Sequence, residues 1–425
     1  MSDIATFRPA DRIGAIGVSE ILKIGETARQ RLREGRPVIV LGAGEPDFDT
    51  PSWVKTAAKR AIDAGETKYT ALDGTPAMKD AVIAKFERDN GLSFSRSQVT
   101  VGAGAKQILY NAFMATLNPE DEVILAAPYW TSYADIVSIA CGNVVSVKGR
   151  PELGLCLTPE DLEAAITPRT RWVLLNSPSN PSGSAYDAAS LGMLLKVIAR
   201  HPQVWLMMDD IYEHLLYDGR AFVTAAALRP DLASRILTIN GVSKAYAMTG
   251  WRLGYGAGPT ALIAAMAVVQ SQSTSNPCSI SQAAAIAALN GPQEVLAERC
   301  DAFARRRDRV VERLDACAGL YCRRPEGAFY VFPECHALFG ATTADGRRLD
   351  NDRDVARWLL EQHDVAVVPG SCFGMPGHFR ISYAAAMEDL ETACDRIAAA
   401  TASLAPSPSF ASFTSSHSSA QESLS

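Results

Sequence analysis

The chain has 425 residues, 48% of them hydrophobic and 21% charged, and a formal net charge of −6 at neutral pH. That length exceeds what one hydrophobic core usually fills, so a large unit with a smaller one attached is expected. The composition is that of an ordinary globular enzyme, and the negative charge argues against nucleic acid or an anionic membrane as partner, since both need a basic face. No apolar run approaches the ~20 residues of a bilayer span, and the N-terminus lacks the apolar centre of a signal peptide. The nine cysteines, from Cys141 to Cys394, form no Cys-x-x-Cys pair, and the six histidines no His-Glu-x-x-His. Neither a disulfide framework nor a metal site is therefore expected, and a reducing cytoplasm fits.

In chain order, short apolar runs alternate with amphipathic stretches, which is the pattern of a mostly parallel sheet sandwiched by helices. Strands are predicted at Val99–Gly102, Glu122–Ala126, Arg171–Leu175, Val204–Met208 and Ile236–Asn240, and helices at Lys106–Thr116 and Ala188–Arg200. Asp301–Leu314 is predicted as a long charged helix leading into a smaller α+β domain. Its basic run, Arg305 to Arg307, reads as a solvated face because Asp301 and Asp308 flank it. Of the twenty residues from Pro406 to Ser425, nine are serine and none is lysine or arginine, so a disordered tail is expected. The expected division is a large domain at 50–295, an N-terminal arm and small domain at 1–49 and 296–404, and the tail at 405–425.

Residues suited to chemistry fall just after the predicted strands, where ligands collect in open α/β sheets. Lys244 sits among small and hydroxyl residues in Ser243-Lys-Ala-Tyr-Ala-Met-Thr-Gly-Trp-Arg, with Arg252 eight residues on. A lysine and an arginine in one short glycine-bounded loop suit a cofactor with a carbonyl at one end and a phosphate at the other. Pyridoxal 5′-phosphate is such a group, its aldehyde condensing with a lysine amine. The other requirements of that cofactor have candidates in the same chain. Asp209, closing Val-Trp-Leu-Met-Met-Asp-Asp, could keep the ring nitrogen protonated, although a strand-ending aspartate also caps turns. Tyr212 and Asn180 could hold the phenolic oxygen, and Asn180 equally reads as turn chemistry in Asn176-Ser-Pro-Ser-Asn-Pro-Ser-Gly. Val101-Gly-Ala-Gly-Ala-Lys-Gln offers a glycine-rich turn opening a helix for the phosphate, and Trp130 a face for the ring, or plain packing. Arg380 stands alone in the apolar run Phe379-Arg-Ile-Ser-Tyr and should have an anionic partner, either a substrate carboxylate or a structural salt bridge.

Together these residues resemble the class I aminotransferases of pyridoxal-phosphate fold type I, in their bacterial aspartate aminotransferase branch. The likeness runs from about Ser19 to Ala400 and includes Gly42-Ala-Gly-Glu-Pro-Asp-Phe-Asp-Thr-Pro, Lys68-Tyr-Thr-Ala-Leu-Asp-Gly and Asp209-Asp-Ile-Tyr-Glu-His. The resemblance implies amino transfer from L-aspartate to 2-oxoglutarate, with Lys244, Asp209 and Tyr212 at the chemistry. Gly104, Ala105, Lys106, Ser243 and Arg252 would surround the phosphate end, Trp130 would stack on the ring, and Asn180 and Tyr212 would hold its oxygen. Arg380, with the Gly44 backbone and the Asn180 amide, would bind the substrate α-carboxylate. Tyr69 would reach the phosphate of a neighbouring subunit, which implies a homodimer. Lys106 could also meet a distal substrate carboxylate. Two features depart from the family pattern: Asp210 stands where a glutamate is usual, and the arm reads Gly14-Ala-Ile-Gly-Val-Ser-Glu-Ile-Leu. An aromatic amino acid or prephenate as substrate, and a C–S β-lyase or aminocyclopropane-carboxylate synthase, are the alternative enzymes. A pyridoxal-fold transcription regulator is disfavoured, because too few residues precede Gly42 for a DNA-binding domain.

Overall fold

In the computed structural model, which describes residues 7–14, 16–18 and 20–405, the chain forms its first strand, β1, at Ile39–Val40. Seven strands then build the central sheet: β2 (Val99–Gly102), β3 (Glu122–Ala127), β4 (Asn143–Lys148), β5 (Thr170–Asn176), β6 (Trp205–Asp209), β7 (Ile236–Gly241) and β8 (Gly254–Ala257). Their order is β2-β8-β7-β6-β5-β3-β4, parallel except that β8 runs antiparallel to both its neighbours. Four short strands follow, β9 (Tyr330–Val331), β10 (Val365–Ala366), β11 (Val368–Pro369) and β12 (Phe379–Ser382). β1 pairs with β10, and β11-β12-β9 form a small antiparallel sheet.

Alternation along the strands explains the layers. In β5, Trp172 and Leu174 join one buried cluster while Val173 and Leu175 join the one on the opposite face. In β6, Met207 packs with the first cluster and Leu206 and Met208 with the second. The same period of two turns Asp209 toward the first face. The helices Ala105–Thr116, Ser132–Ile139 and Thr260–Ser273 cover that face, and Pro159–Ala165 and Ala188–Arg200 cover the other. Each large aliphatic side chain buried this way stabilises the fold by roughly 1.5–3 kcal/mol. A separate buried cluster gathers Leu41, residues 211–217 and much of 303–404, including Phe303, Phe329, Trp358 and Phe379.

The predicted strands and helices are present with ends shifted by at most a residue or two, except that the helix predicted from Asp301 begins at Glu294. Two strands of the central sheet and the short strands β1 and β9 to β12 are not among those predicted. β4 is an edge strand of mixed exposure with polar residues, and β8 reads Gly-Tyr-Gly-Ala, a loop-like composition. The glycines of β8 have a reason: a Cβ on Gly254 would lie 2.2 Å from the Ala105 nitrogen, so only glycine lets the strand pass the 104–105 turn.

The basic run 305–307 is solvated only in part, which corrects the sequence reading: Arg305 is exposed, but Arg307 is not. The helix Glu294–Asp315 turns Arg307 inward, where it is 0% exposed. Its guanidinium donates to Asp218 at 2.8 Å and Asp308 at 2.7 Å and lies 4.6 Å from the centre of the Tyr217 ring. Arg306 pairs with Asp47. The helical spacing Phe303, Arg307, Val310, Leu314 puts the arginine in an apolar stripe. Asp301–Leu314 is accordingly the C-terminal part of a longer helix. Of the expected tail, Ala405 donates a backbone hydrogen bond to Thr342, and 406–425 lie outside the described residues. No described helix is long and apolar enough to cross a membrane, and all nine cysteines are free.

Candidate active site

The carboxyl ends of β5, β6 and β7 open onto a cavity of about 460 Å³, closed on its far side by Tyr330 and Arg380 from the small antiparallel sheet. Of the residues expected at the site, Gly44, Ala105, Lys106, Trp130, Asn180, Asp209, Tyr212, Ser243, Lys244, Arg252 and Arg380 line it. Gly104 lies directly behind the wall. Its φ of 91° ends the turn before the helix Ala105–Thr116, and a Cβ there would stand 2.6 Å from Nη2 of Arg252. Tyr69 is not brought in: it is 92% exposed and lines a separate depression with Lys68 and Gln282.

Lys244 donates from Nζ to the Gly44 carbonyl at 2.5 Å. Burial, and then the positive charge of Arg380, lower its amine to about 8. Asp209 is 4% exposed, and burial lifts its carboxyl to about 6, against the pull of Tyr133, which donates its hydroxyl to Oδ2 at 2.5 Å. Among the described residues no cation lies within ion-pair distance of Asp209.

At the opposite wall Arg380 is 1% exposed and also lacks a carboxylate partner among the described residues. It donates to Asn180 Oδ1 at 2.8 Å and to the Gly42 carbonyl at 2.7 Å, while its Nε has no acceptor. The rings of Tyr330 and Phe373 lie 4.5 and 5.0 Å from its guanidinium carbon. The structural salt bridge that the sequence left open is therefore not made. A buried guanidinium without an anion is costly in isolation, and this one lines the cavity.

Arg252 takes a left-handed conformation, φ 52°, and donates to the carbonyls of Thr249 and Ala103. That fixes a cation beside the turn at 104–106, whose backbone N–H groups begin a twelve-residue helix. Lys106 lies over the Trp130 ring with Nζ 4.7 Å from its centre; desolvation and Arg252 lower its pKa. The donor set thus offers an anion site at one end, a stacking face in the middle and a buried carboxylate beyond it. This set fits a phosphorylated pyridine with a carbonyl near Lys244. Tyr212 shares a hydrogen bond between hydroxyls with Tyr330, 2.9 Å apart.

Several lining residues escaped the sequence reading. Tyr133 follows Trp130 by three residues, so one helical turn brings both to the cavity, a spacing that could have identified it. Asn176, inside a motif already singled out, donates to the Asp209 carbonyl and accepts from the Asn180 backbone N–H. Tyr330 comes from a remote strand with no local signal. Ile21 and Leu22 bring the helix Glu20–Arg33 to the cavity. Asp210, the noted departure, is absent from the cavity. It points away, buried, and accepts from the Thr224 hydroxyl at 2.6 Å.

Comparison with known proteins gives one consistent result. The family model described as aminotransferase class I and II matches residues 36–397. An aspartate aminotransferase of Rhizobium meliloti is 62% identical over 396 residues, covering 93% of this chain and 97% of that protein. A Cereibacter sphaeroides protein named aspartate/prephenate aminotransferase is 57% identical, covering 93% of this chain and 99% of its own. The crystal structure of a Rhizobium meliloti aspartate aminotransferase superposes with a TM-score of 0.92 at 61% identity, covering 94% of this chain and all of that one.

Proposed function

The chain belongs to the class I and II aminotransferase family, and from that premise we propose that it moves the amino group of L-aspartate to 2-oxoglutarate, giving oxaloacetate and L-glutamate. The observation that carries the reading is Arg380, a buried forked cation lacking an anion, facing the same cavity as the Lys244 amine.

In this reading pyridoxal 5′-phosphate is held by Arg252, Ser243 and the turn at Gly104, Ala105 and Lys106 at its phosphate, by Trp130 on its face, and by Asn180 and Tyr212 at its oxygen. When bound, the cofactor supplies an aldehyde that takes the amino group and a protonated ring that draws electrons from the substrate Cα. Asp209 holds the proton on the ring nitrogen, and Tyr133 holds Asp209. Lys244, with its amine already lowered to about 8, would accept the Cα proton at Nζ and return it to the carbon that carried the aldehyde, on the other side of the transferred nitrogen. Arg380, helped by the Gly44 backbone and the Asn180 amide, orients the α-carboxylate. Lys106 is the second cation, suited to a distal carboxylate. Ile21 and Leu22 bring apolar surface to the cavity rim. One amino acid leaves as its oxo acid before the next oxo acid enters, so the kinetics are ping-pong.

The exposure of Tyr69 supports a homodimer in which it completes the phosphate end of the neighbouring site. The division into 50–295 and a smaller part built from 1–49 and 296–404 belongs to the same reading; the cluster that gathers most of 303–404 also takes in Ile211, Tyr212, Leu215 and Tyr217, which join the two parts. A cytoplasmic enzyme is part of the same reading. The name of the Cereibacter relative favours a second reading in which prephenate is also accepted.

The test is initial-rate kinetics with L-aspartate and 2-oxoglutarate. Parallel double-reciprocal lines and no turnover in Lys244→Ala are expected. Near-normal activity in that variant, or release of pyruvate and ammonia without an acceptor, would refute the reading.

A further inference from the structure

The turn after β6 has two faces. Asp209 and Tyr212 point into the cavity, whereas Asp210 and Glu213 point away from it. Glu213 is 6% exposed and forms an ion pair with Lys85, whose side chain is 1% exposed, on the helix Pro76–Asn90. Around that pair, Lys85 donates to Asn90 Oδ1 at 2.8 Å and Asn90 donates to Glu213 Oε2 at 3.0 Å. His214 Nε2 lies 3.1 Å from Glu213 and 3.6 Å from Asp89, and Arg88 holds Asp89. Asp89, Glu213 and His214 are close enough together to hold a metal ion, but the Lys85 ammonium already stands among them as the cation. None of these groups lines the cavity.

We propose that the buried Lys85–Glu213 pair is a positioning element for the reaction, fixing from behind the turn that aims Asp209 and Tyr212 at the cofactor; this rests on the functional reading above. Four observations carry it. The pair is the charged anchor of this turn to the helix Pro76–Asn90. Glu213 is the immediate neighbour of Tyr212. The turn is short and stiff, with Glu213 N–H bonded to the Asp210 carbonyl and Leu215 N–H to that of Tyr212. Burial would raise the Glu213 carboxyl, yet Lys85 and His214 hold it well below its ordinary value, so the strut is ionised. A shift of Glu213 is therefore transmitted to the Tyr212 hydroxyl and the Asp209 carboxylate.

The experiment compares the parent with Glu213→Gln, Lys85→Met and the Lys85→Met/Glu213→Gln double variant, all saturated with pyridoxal phosphate. Each single variant leaves one buried partner unmatched, and its Tm should drop on the order of 5 °C or more. The double variant should regain most of that loss. It should still show a displaced pH midpoint for the cofactor's visible absorption band and a roughly 10- to 100-fold lower kcat, with KM for aspartate changed much less. A double variant that recovers Tm, spectral midpoint and kcat together would overturn the proposal and leave the pair a purely structural one. Glu213→Asp, which keeps the charge and shortens the strut by one methylene, decides the question should the double variant not fold. A midpoint and kcat equal to the parent's would overturn the proposal there too. A parent that shows no visible band with the cofactor would instead overturn the functional reading on which it rests.

Discussion

Arg307 and Arg380 are both wholly buried, yet they are satisfied in opposite ways. Arg307 meets the carboxylates of Asp218 and Asp308. Arg380 meets an amide oxygen and a carbonyl, keeps one donor unmatched, and faces open volume. The acids divide in the same way. Glu213 is paired with Lys85, while Asp209 has a tyrosine and no cation. These two scaffold groups are closed by counter-ions and the two site groups face the cavity without one, whereas Arg299 and Asp210, buried on carbonyls and a hydroxyl away from the cavity, show that a missing counter-ion alone does not mark a site. An open buried charge is held in place only because the surrounding fold is stable enough to carry its cost, and it gains most from a complementary ligand.

That contrast can be broken by substitution. Arg380→Leu should lower kcat/KM for aspartate by roughly a thousandfold, about 4 kcal/mol of transition-state binding, while thermal stability stays level or rises. A loss of stability in place of activity would make Arg380 a scaffold residue like Arg307. Arg307→Met should do the reverse, costing on the order of 1–2 kcal/mol of stability through its lost hydrogen bonds and its lost packing on Tyr217, since Asp218 and Asp308 are half exposed and keep Arg324. Chemical denaturation would measure that loss, and kinetics per folded molecule should match the parent's.

Asp209 sharpens the comparison through pH. Its carboxyl sits near 6 when folded and near 3.8 in the unfolded chain, so between those values the folded state holds the extra proton. Stability of the cofactor-free chain therefore falls as pH rises from about 4 to about 6, by roughly 2–3 kcal/mol from this group, and is flat above that window. Melting curves of Asp209→Asn should lack this component. An identical pH profile in the two proteins would mean that Asp209 is not an open charge. The smallest effect is expected at the rim: Lys106→Met should raise KM for aspartate about tenfold, near 1.4 kcal/mol, and leave phenylalanine unaffected. Equal losses for both substrates would return Lys106 to the phosphate end.

Much of this arrangement is legible in the chain itself. Asp209, Lys244 and Arg252 can be read because each lies in or beside a turn at the end of an apolar strand, and in an α/β sheet those ends converge. Arg380 can be read because an arginine inside an apolar run needs an explanation. What it pairs with is a tertiary fact, and so is Tyr330, which reaches the cavity from a strand of two residues. β8 was hidden because its glycines serve close approach to the 104–105 turn, and in sequence that looks like a loop. Arg307 was misread because the flanking Asp301 and Asp308 suggest a solvated face, although its place between Phe303 and Val310 on one helical face marks it as buried.

The most direct test of the central claim is the visible absorption of the protein loaded with pyridoxal phosphate, recorded before and after addition of L-aspartate and then of 2-oxoglutarate. The account predicts that aspartate removes the band of the lysine-bound cofactor and that 2-oxoglutarate restores it, in a cycle that Arg380→Leu makes only at far higher substrate concentrations. A cofactor band that neither aspartate nor any other amino acid changes would contradict it.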